Sequence, residues 1–139
     1  MKVVVSSTGT DLTSQVDPRF GRCPYFLIVD TDSMAYEAIP NSALGAAHGA
    51  GIQATQLVVS TGVKTVLTGQ VGPNAFHALS ASQMQVLTGV SGTVGEVVER
   101  FKKGEFEATR RPTVGGHFGT GGRGGGSGAG RGRGGRRPT

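Results

Sequence analysis

The sequence predicts an α/β fold in which a mixed five-stranded sheet and three helices form one domain, followed by a disordered C-terminal tail. Two observations lead to this prediction. The apolar period changes from two to about 3.6 near Gly49, and from there helical and strand patterns alternate. Residues 1–109 carry seven basic and nine acidic side chains, net −2, whereas residues 110–139 carry seven arginines and no acid. We therefore expect a folded domain at 1–109 and a separate cationic tail at 110–139.

The first half of the domain reads as three strands. Residues 2–6 are β-branched and bounded by Ser, Thr and Gly, which predicts a buried first strand. A long polar loop follows over 8–24, and loops of this length in compact domains are usually functional or disordered. Residues 25–29 and 35–39 are further strands, and the turn-forming residues 30–33 between them favour a hairpin.

The second half alternates helices and short strands. A helix begins after Gly49 and ends at Gly62, which is typical of a C-terminal cap. Pro73 opens a second helix that runs to about residue 81. Thr93 and Glu96 form a capping-box pattern for a third helix that ends before residue 104. Strands at 64–68 and 85–87 separate the helices, so their pairing should be parallel with right-handed crossovers.

The tail contains 13 of the 25 glycines and almost no side chain that could fill a core. It cannot repay the entropy of ordering its backbone, so we expect a disordered cationic arm with an anionic partner. The lone Cys23 excludes an intrachain disulfide and suits a reducing compartment, with the cytoplasm as the default. No apolar stretch approaches a membrane span, so neither export nor membrane binding is expected.

The sequence also predicts an anion-binding site. In open α/β sheets, ligands bind beyond the carboxyl ends of the strands, and helix N-termini offer unpaired N–H groups there. Glycine-bearing strand exits and the first turns of two helices fall in this region, together with arginines and amides. The alternative is that the glycines only make tight turns. The predicted binding residues of the domain are Thr8, Gly9, Arg19, Phe20, Gly21, Arg22, Asn41, His48, Gly49, Gly51, Thr68, Gly69 and Asn74.

Two side chains are candidate metal ligands. Cys23 follows Arg22, which favours a low-pKa thiolate, but its place just before a strand equally favours a small buried residue. His48 lies between residues too small to bury it, which favours a ligand or donor role over packing. His77 is expected to be an ordinary residue on a helix surface.

Several short segments together resemble the dinitrogenase iron–molybdenum cofactor biosynthesis family over residues 1 to about 107. They are 17–26 (DPRFGRCPYF), Asn41, 48–51 (HGAG), 66–69 (VLTG), 72–75 (GPNA) and 95–96 (GE). The resemblance implies a ribonuclease-H-like three-layer fold with a mixed five-stranded sheet. It also implies a non-enzymatic carrier of an anionic metal–sulfide cluster, either iron–sulfur or molybdenum-containing, whose exact species the sequence leaves open.

Family members with a Gly-rich, Arg-bearing tail resemble iron–sulfur storage proteins that bind thioferrate, a polymeric anion of iron and sulfide. For this chain the resemblance implies that tail arginines neutralise the anion and that large particles assemble. The tail composition also resembles RNA-binding RGG segments, or it serves only solubility. A nuclease is excluded because residues 3–6 of the first strand carry no acid. The tail residues assigned to binding are Arg123, Arg131, Arg133, Arg136 and Arg137.

Overall fold

The computed structural model describes residues 1–43, 45, 49–109 and 112. In this part of the chain one mixed sheet has the strand order β3-β2-β1-β4-β5. The pairs β1–β2 and β2–β3 are antiparallel, while β1–β4 and β4–β5 are parallel. The predicted mixed five-stranded sheet is therefore confirmed. The strands are β1 Lys2–Ser7, β2 Tyr25–Asp30, β3 Tyr36–Pro40, β4 Thr65–Leu67 and β5 Gln85–Leu87.

Three α-helices and one short 3-10 turn complete the described part. The helices are α1 Ala50–Ser60, α2 Pro73–Ala81 and α3 Val94–Lys102, and the 3-10 turn spans Phe20–Arg22. Gly62 ends α1 with φ +80°, as the sequence predicted. Each helix also begins where the sequence predicted. The start signals, Gly49, Pro73 and the Thr93 cap, act within one turn and can therefore be identified from the sequence. None of these helices is long and apolar enough to cross a bilayer.

The sheet separates two apolar cores, which gives the expected three-layer arrangement. Because successive side chains of a strand point to opposite faces, Val4 of β1 packs with Ala54 of α1 and Leu79 of α2. Its neighbours Val3 and Val5 pack on the other face, with Val97 and Val98 of α3 among their neighbours. The α1 and α2 layer and the α3 layer therefore cover opposite faces of the sheet.

The predicted tail at 110–139, apart from Pro112, lies outside the described residues. The prediction that it is disordered and separate from the domain therefore stays a prediction. What is described is the segment 104–109, which follows α3 and reaches the outer edge of β5.

Candidate anion-binding site

The long loop between β1 and β2 crosses the edge of the sheet where β1 and β4 end. The Asp17 N–H donates to the Ser6 carbonyl at 2.9 Å, and the Ser6 hydroxyl donates to the Asp17 carbonyl at 2.7 Å. One strand along, the Gln70 N–H donates to the Pro18 carbonyl at 2.7 Å. The loop is thus held by the ends of both strands rather than free in solvent.

Glycine at position 69 is required by this contact. A Cβ there would lie 2.5 Å from the Pro18 Cα and 2.9 Å from the Pro18 carbonyl oxygen. Both atoms are backbone, so they cannot move aside as a flexible side chain could. Gly69 therefore serves the close approach of the loop to β4, which is the tight-packing alternative considered for the glycines.

Arg19 is fixed by a buried carboxylate. Its Nε and Nη2 donate to Oδ1 and Oδ2 of Asp17, each at 3.2 Å, and its backbone N–H donates to Oδ1 at 2.9 Å. The Asp17 side chain is 3% exposed whereas that of Arg19 is 63% exposed. The hydrogen bonds and charge of Asp17 raise the pKa of Arg19. Because a guanidinium has five N–H donors, about three remain for a ligand.

The 3-10 turn and the first turns of α1 and α2 come together because two glycines permit it. A Cβ at Gly21 would lie 3.1 Å from the backbone nitrogen of Gly51. A Cβ at Gly51 would in turn lie 3.0 Å from the Cβ of Ala75 in α2. The N-termini of α1 and α2 therefore lie side by side, with the arginine-bearing turn against them.

These elements surround an open cleft of about 560 Å³. Two of the residues that line it are cationic, none is acidic, and seven are residues that the sequence assigned to binding. The lining residues are Arg19, Phe20, Gly21, Arg22, Gly49, Ala50, Gly51, Ile52, Gln70, Gly72, Pro73, Asn74 and Ala75.

The helix ends at the cleft have no cap from a side chain. Neither Gly49 before α1 nor Gly72 before α2 provides a side-chain hydrogen bond, and neither helix has an acid in its first turn. The first bond that reaches each cap carbonyl comes from Gln53 and Phe76. Within the described residues, five first-turn N–H groups therefore lack an acceptor, those of Ala50, Gly51, Ile52, Asn74 and Ala75.

Five other predicted binding residues have structural roles outside the cleft. The Thr8 N–H and hydroxyl both donate to the Gln15 carbonyl, and Gly9 packs on Ser14, so this exit turns towards α3. The Thr68 hydroxyl is buried and pairs with the Ser6 hydroxyl at 2.7 Å. Gly69 packs on Pro18.

The fifth of these residues, Asn41, supports the cleft from beneath. Its side-chain amide donates to the carbonyls of Gly21 and Cys23 at 3.2 and 2.8 Å, and its Oδ1 accepts the Ala43 N–H at 3.0 Å. Asn41 is buried, so these bonds hold the 3-10 turn in place against the rest of the domain. It is a buttress in this structure rather than a donor that faces a ligand.

Cys23 is a buried thiol. It is 0% exposed, and its Sγ donates to the Phe20 carbonyl at 3.4 Å. Burial, followed by the charge of Asp17, raises the pKa of Cys23 to about 12. The low-pKa thiolate interpretation does not describe this environment, because desolvation and a nearby carboxylate both disfavour the charged form. The second interpretation, a small buried residue at the start of a strand, describes its position.

The other metal-ligand candidate, His48, lies outside the described residues, as do the five tail arginines assigned to binding. Their roles remain predictions. The described residues contain no group of three His, Cys, Asp or Glu side chains that could hold a metal ion. The donors that the cleft does offer are N–H groups, which suit an anion that already contains its metal.

The cleft includes residues that the sequence did not assign to binding. Gln70 follows β4 and bridges to Arg19 across the loop, so its place in the cleft depends on a contact between distant parts of the chain. Gly72 and Pro73 belong to the helix start that the sequence did identify. Ala50, Ile52 and Ala75 have apolar side chains, so their residue types alone did not indicate a place at the cleft.

The described residues form an α/β fold with a cationic cleft at one edge of the sheet, and comparison with known proteins gives the family. The sequence model described as dinitrogenase iron-molybdenum cofactor matches residues 1–104. The chain therefore belongs to that family, as its motifs predicted.

Individual relatives agree with this assignment. The apo orange protein of Desulfovibrio gigas is 38% identical with a TM-score of 0.78, covering 81% of this chain and 95% of that one. A NifB-like protein of Thermotoga is 39% identical with a TM-score of 0.67, covering 77% and 91%. An uncharacterized protein of Methanocaldococcus jannaschii is 27% identical over 97 residues, covering 68% of this chain and 82% of the relative.

Proposed function

We propose that this protein binds an anionic metal–sulfide cluster in the cleft and carries or stores it without catalysing a reaction. The observation that supports this most is the set of first-turn N–H groups of α1 and α2, at one cleft, that have no acceptor among the described residues. Arg19 and Arg22 add positive charge, and no acid opposes it among the lining residues.

The physical reason is that a bound anion supplies what these helix ends lack. Each helix N-terminus carries roughly half a positive charge, and its free N–H groups point outwards. Sulfides at the surface of a cluster can accept several such hydrogen bonds at once. The donors are already held in place by the Gly21, Gly51 and Ala75 contacts, so little order has to be created on binding.

The class of cargo follows from the family. Its description names the iron–molybdenum cofactor, and the orange protein is a relative whose structure was solved in an apo form. We therefore propose an iron–sulfur or molybdenum-containing metal–sulfide anion as cargo for this chain. Storage of thioferrate, with the tail arginines neutralising the polymer and large particles forming, is the finer form of the same proposal.

The test is a titration with tetrathiomolybdate. It is monitored through the amide NMR signals of the protein and the visible absorption of the anion. Binding in the cleft should shift the amides of Gly51, Ile52, Asn74 and Ala75 before those of residues 93–102. Arg22→Gln should raise the Kd by about tenfold, the effect of losing one charge-assisted contact. Lys103→Gln, which removes the same charge at the end of α3, is the matched control and should leave the Kd unchanged.

The finer proposal needs a separate experiment because RNA would also bind a cationic tail. The intact protein, purified without oxygen, is supplied with iron and sulfide in the absence of nucleic acid. We expect large iron- and sulfide-bearing particles and no copurified RNA. Copurified RNA together with failure to assemble iron and sulfide would replace storage by RNA binding. Tetrathiomolybdate shifts confined to residues 93–102 would remove the cleft from either function.

A further inference from the structure

A chain of buried polar groups leads from the end of β4 towards the wall of the cleft. The Thr68 and Ser6 hydroxyls are 2.7 Å apart, and the Ser6 hydroxyl donates to the Asp17 carbonyl at 2.7 Å. The Asp17 N–H donates to the Ser6 carbonyl at 2.9 Å. All three residues are buried. Because these bonds hold the Asp17 backbone through both its N–H and its carbonyl, the end of the sheet fixes where the Asp17 carboxylate lies.

This carboxylate accepts hydrogen bonds from Arg19 alone among the described residues. Its Oδ1 accepts the Arg19 backbone N–H and Nε–H, and its Oδ2 accepts one Nη2–H. One side of the planar guanidinium is therefore attached to Asp17. The outer edge, formed by Nη1 and the second hydrogen of Nη2, has no acceptor within the described part of the chain. Arg19 lines the cleft, whereas Asp17 does not.

The position of Asp17 behind this arginine is unfavourable if the cleft attracts an anion by charge alone. Its negative charge offsets the positive charge of Arg19, so the pair adds little net charge to the cleft. Salt limits this loss, because charges are screened over about 8 Å at physiological ionic strength. In return Asp17 provides order. A free arginine gives up rotamer freedom when it binds a ligand, whereas the guanidinium of Arg19 is already held before the anion arrives.

The backbone of the arginine turn is held separately from the Asp17 carboxylate. The Phe20 N–H donates to the Gln70 carbonyl at 3.3 Å, and the Gln70 N–H donates to the Pro18 carbonyl at 2.7 Å. An asparagine at position 17 would keep an Oδ1 that can accept the Arg19 N–H. Its amide NH₂ group would face the Nη2 donor, so the second side-chain bond would be lost. Asp17→Asn therefore releases the guanidinium while the turn that carries it remains.

We propose that Asp17 is a positioning residue for anion binding, which holds Arg19 so that the outer edge of its guanidinium donates two parallel hydrogen bonds to neighbouring acceptor atoms of one anion. This inference rests on the proposed function of the cleft. Arg19 then acts through its fixed geometry more than through its charge. Ser6 and Thr68 act one step further back, because they fix Asp17. The buried Thr68 hydroxyl thus supports binding without facing the ligand.

The test is a double-mutant cycle at Asp17 and Arg19 in the full-length chain, with the Kd for tetrathiomolybdate as the readout. Positioning and charge predict opposite signs for Asp17→Asn. If charge dominates, removal of the acid lowers the Kd, whereas loss of positioning should raise it by about tenfold. Combined with Arg19→Gln, Asp17→Asn should leave the Kd equal or lower it, because only the removal of a negative charge remains. An effect through the fold would raise the Kd equally in both backgrounds.

Arg19→Lys tests the same idea without any change at Asp17. Lysine keeps the charge but lacks the planar fork, so the Kd should rise by about fivefold. The Arg19 side chain is 63% exposed, so this variant should fold. The matched control is Asp32→Asn, which removes an exposed acid beside Met1, at the other end of β1, and should leave the Kd unchanged.

The outcomes separate this inference from the proposed function. A lower Kd for Asp17→Asn, an equal rise in both backgrounds, or an unchanged Kd for Arg19→Lys would each overturn the positioning role while anion binding in the cleft stands. Failure of the native chain to bind tetrathiomolybdate would refute the proposed function, and the positioning role with it.

Discussion

The N-terminus of α3 and those of α1 and α2 lie at the same edge of the sheet. The N–H groups of α3 have acceptors in the protein, whereas those of α1 and α2 have none among the described residues. At α3 the protein satisfies all four N–H groups at the start of the helix. The Thr93 N–H donates to Glu96 Oε1 at 2.9 Å, and the Glu96 N–H donates to the Thr93 hydroxyl at 3.1 Å. The N–H groups of Val94 and Gly95 donate to the Ser14 and Leu12 carbonyls, each at 2.9 Å.

At α1 and α2 the same positions carry glycine, alanine, proline, Ile52 and Asn74, and the described residues offer the N–H groups of Ala50, Gly51, Ile52, Asn74 and Ala75 no acceptor. A helix end that is only structural gains about 1 kcal/mol from a cap, so an uncapped end gives up stability. Two such ends side by side, next to arginines, offer the proposed anion a set of N–H donors that no described residue accepts from. The comparison therefore distinguishes a helix end that stabilises the fold from helix ends available to a ligand.

The largest effect is expected at Gly69, where the loop that carries Arg19 packs against the end of β4. Gly69→Ala should lower the free energy of unfolding by about 3 kcal/mol, because its Cβ would meet the Pro18 backbone at 2.5 Å. The matched control is Gly72→Ala, where a Cβ has nothing within 4 Å and φ is −78°. It should cost no more than about 1 kcal/mol, as expected for a cap position. Equal losses in chemical denaturation would show that the loop contact is not what holds the edge.

The second effect converts an open helix end into a closed one. Asn74→Asp places a carboxylate in the first turn of α2 with almost no change in shape, as Glu96 does in α3. Repulsion should raise the Kd for tetrathiomolybdate by about thirtyfold, while the melting temperature stays equal or rises because the helix dipole is better compensated. Unchanged affinity would mean that the anion does not approach α2.

The third effect concerns Cys23. Because its thiol is buried, we expect it to support the fold beside the cleft rather than to bind a ligand in it. Its folded-state pKa is raised from 9.0 to about 12, so the neutral thiol stabilises the fold fully below pH 9. That stability is lost as pH rises towards 12, by about 1 kcal/mol at pH 10 relative to pH 7. Cys23→Ala should remove this part of the pH dependence. Thiol labelling of the native protein at neutral pH should be slow, and rapid labelling would restore the thiolate interpretation.

The smallest effect is expected at the capped end. Thr93→Ala should lower the free energy of unfolding by about 1 kcal/mol and leave the Kd for tetrathiomolybdate unchanged. Bonding to the Thr93 N–H lowers the pKa of Glu96 below 4.5. The stabilisation by the Glu96 carboxylate is therefore present above pH 4.5 and lost as the pH falls through the lowered pKa. Glu96→Gln should therefore lose less of its neutral-pH free energy of unfolding on acidification than the native chain does. If Thr93→Ala changed the Kd for tetrathiomolybdate, the N-terminus of α3 would also take part in anion binding, contrary to the expectation that only those of α1 and α2 do.

The sequence by itself determined the elements and their order. Alternation in strands, the Pro73 start, the Gly62 stop and the Thr93 capping box each act within a few residues, so each could be identified from its own segment. The sorting of charge into −2 and +7 blocks is likewise a property of composition. The mixed sheet followed because a hairpin and two helix crossovers leave few arrangements.

The tertiary structure decided which of the candidate residues face one another. Thr8 and Gly9 share a strand exit with the arginine loop, but the bonds to Gln15 turn them towards α3. Gln70 lines the cleft because its backbone pairs with that of Arg19, whereas Cys23 is buried in the core and does not line the cleft. Such outcomes depend on pairings between residues far apart in the chain, whose geometry is set only when the sheet and both cores are assembled, so no local pattern encodes them.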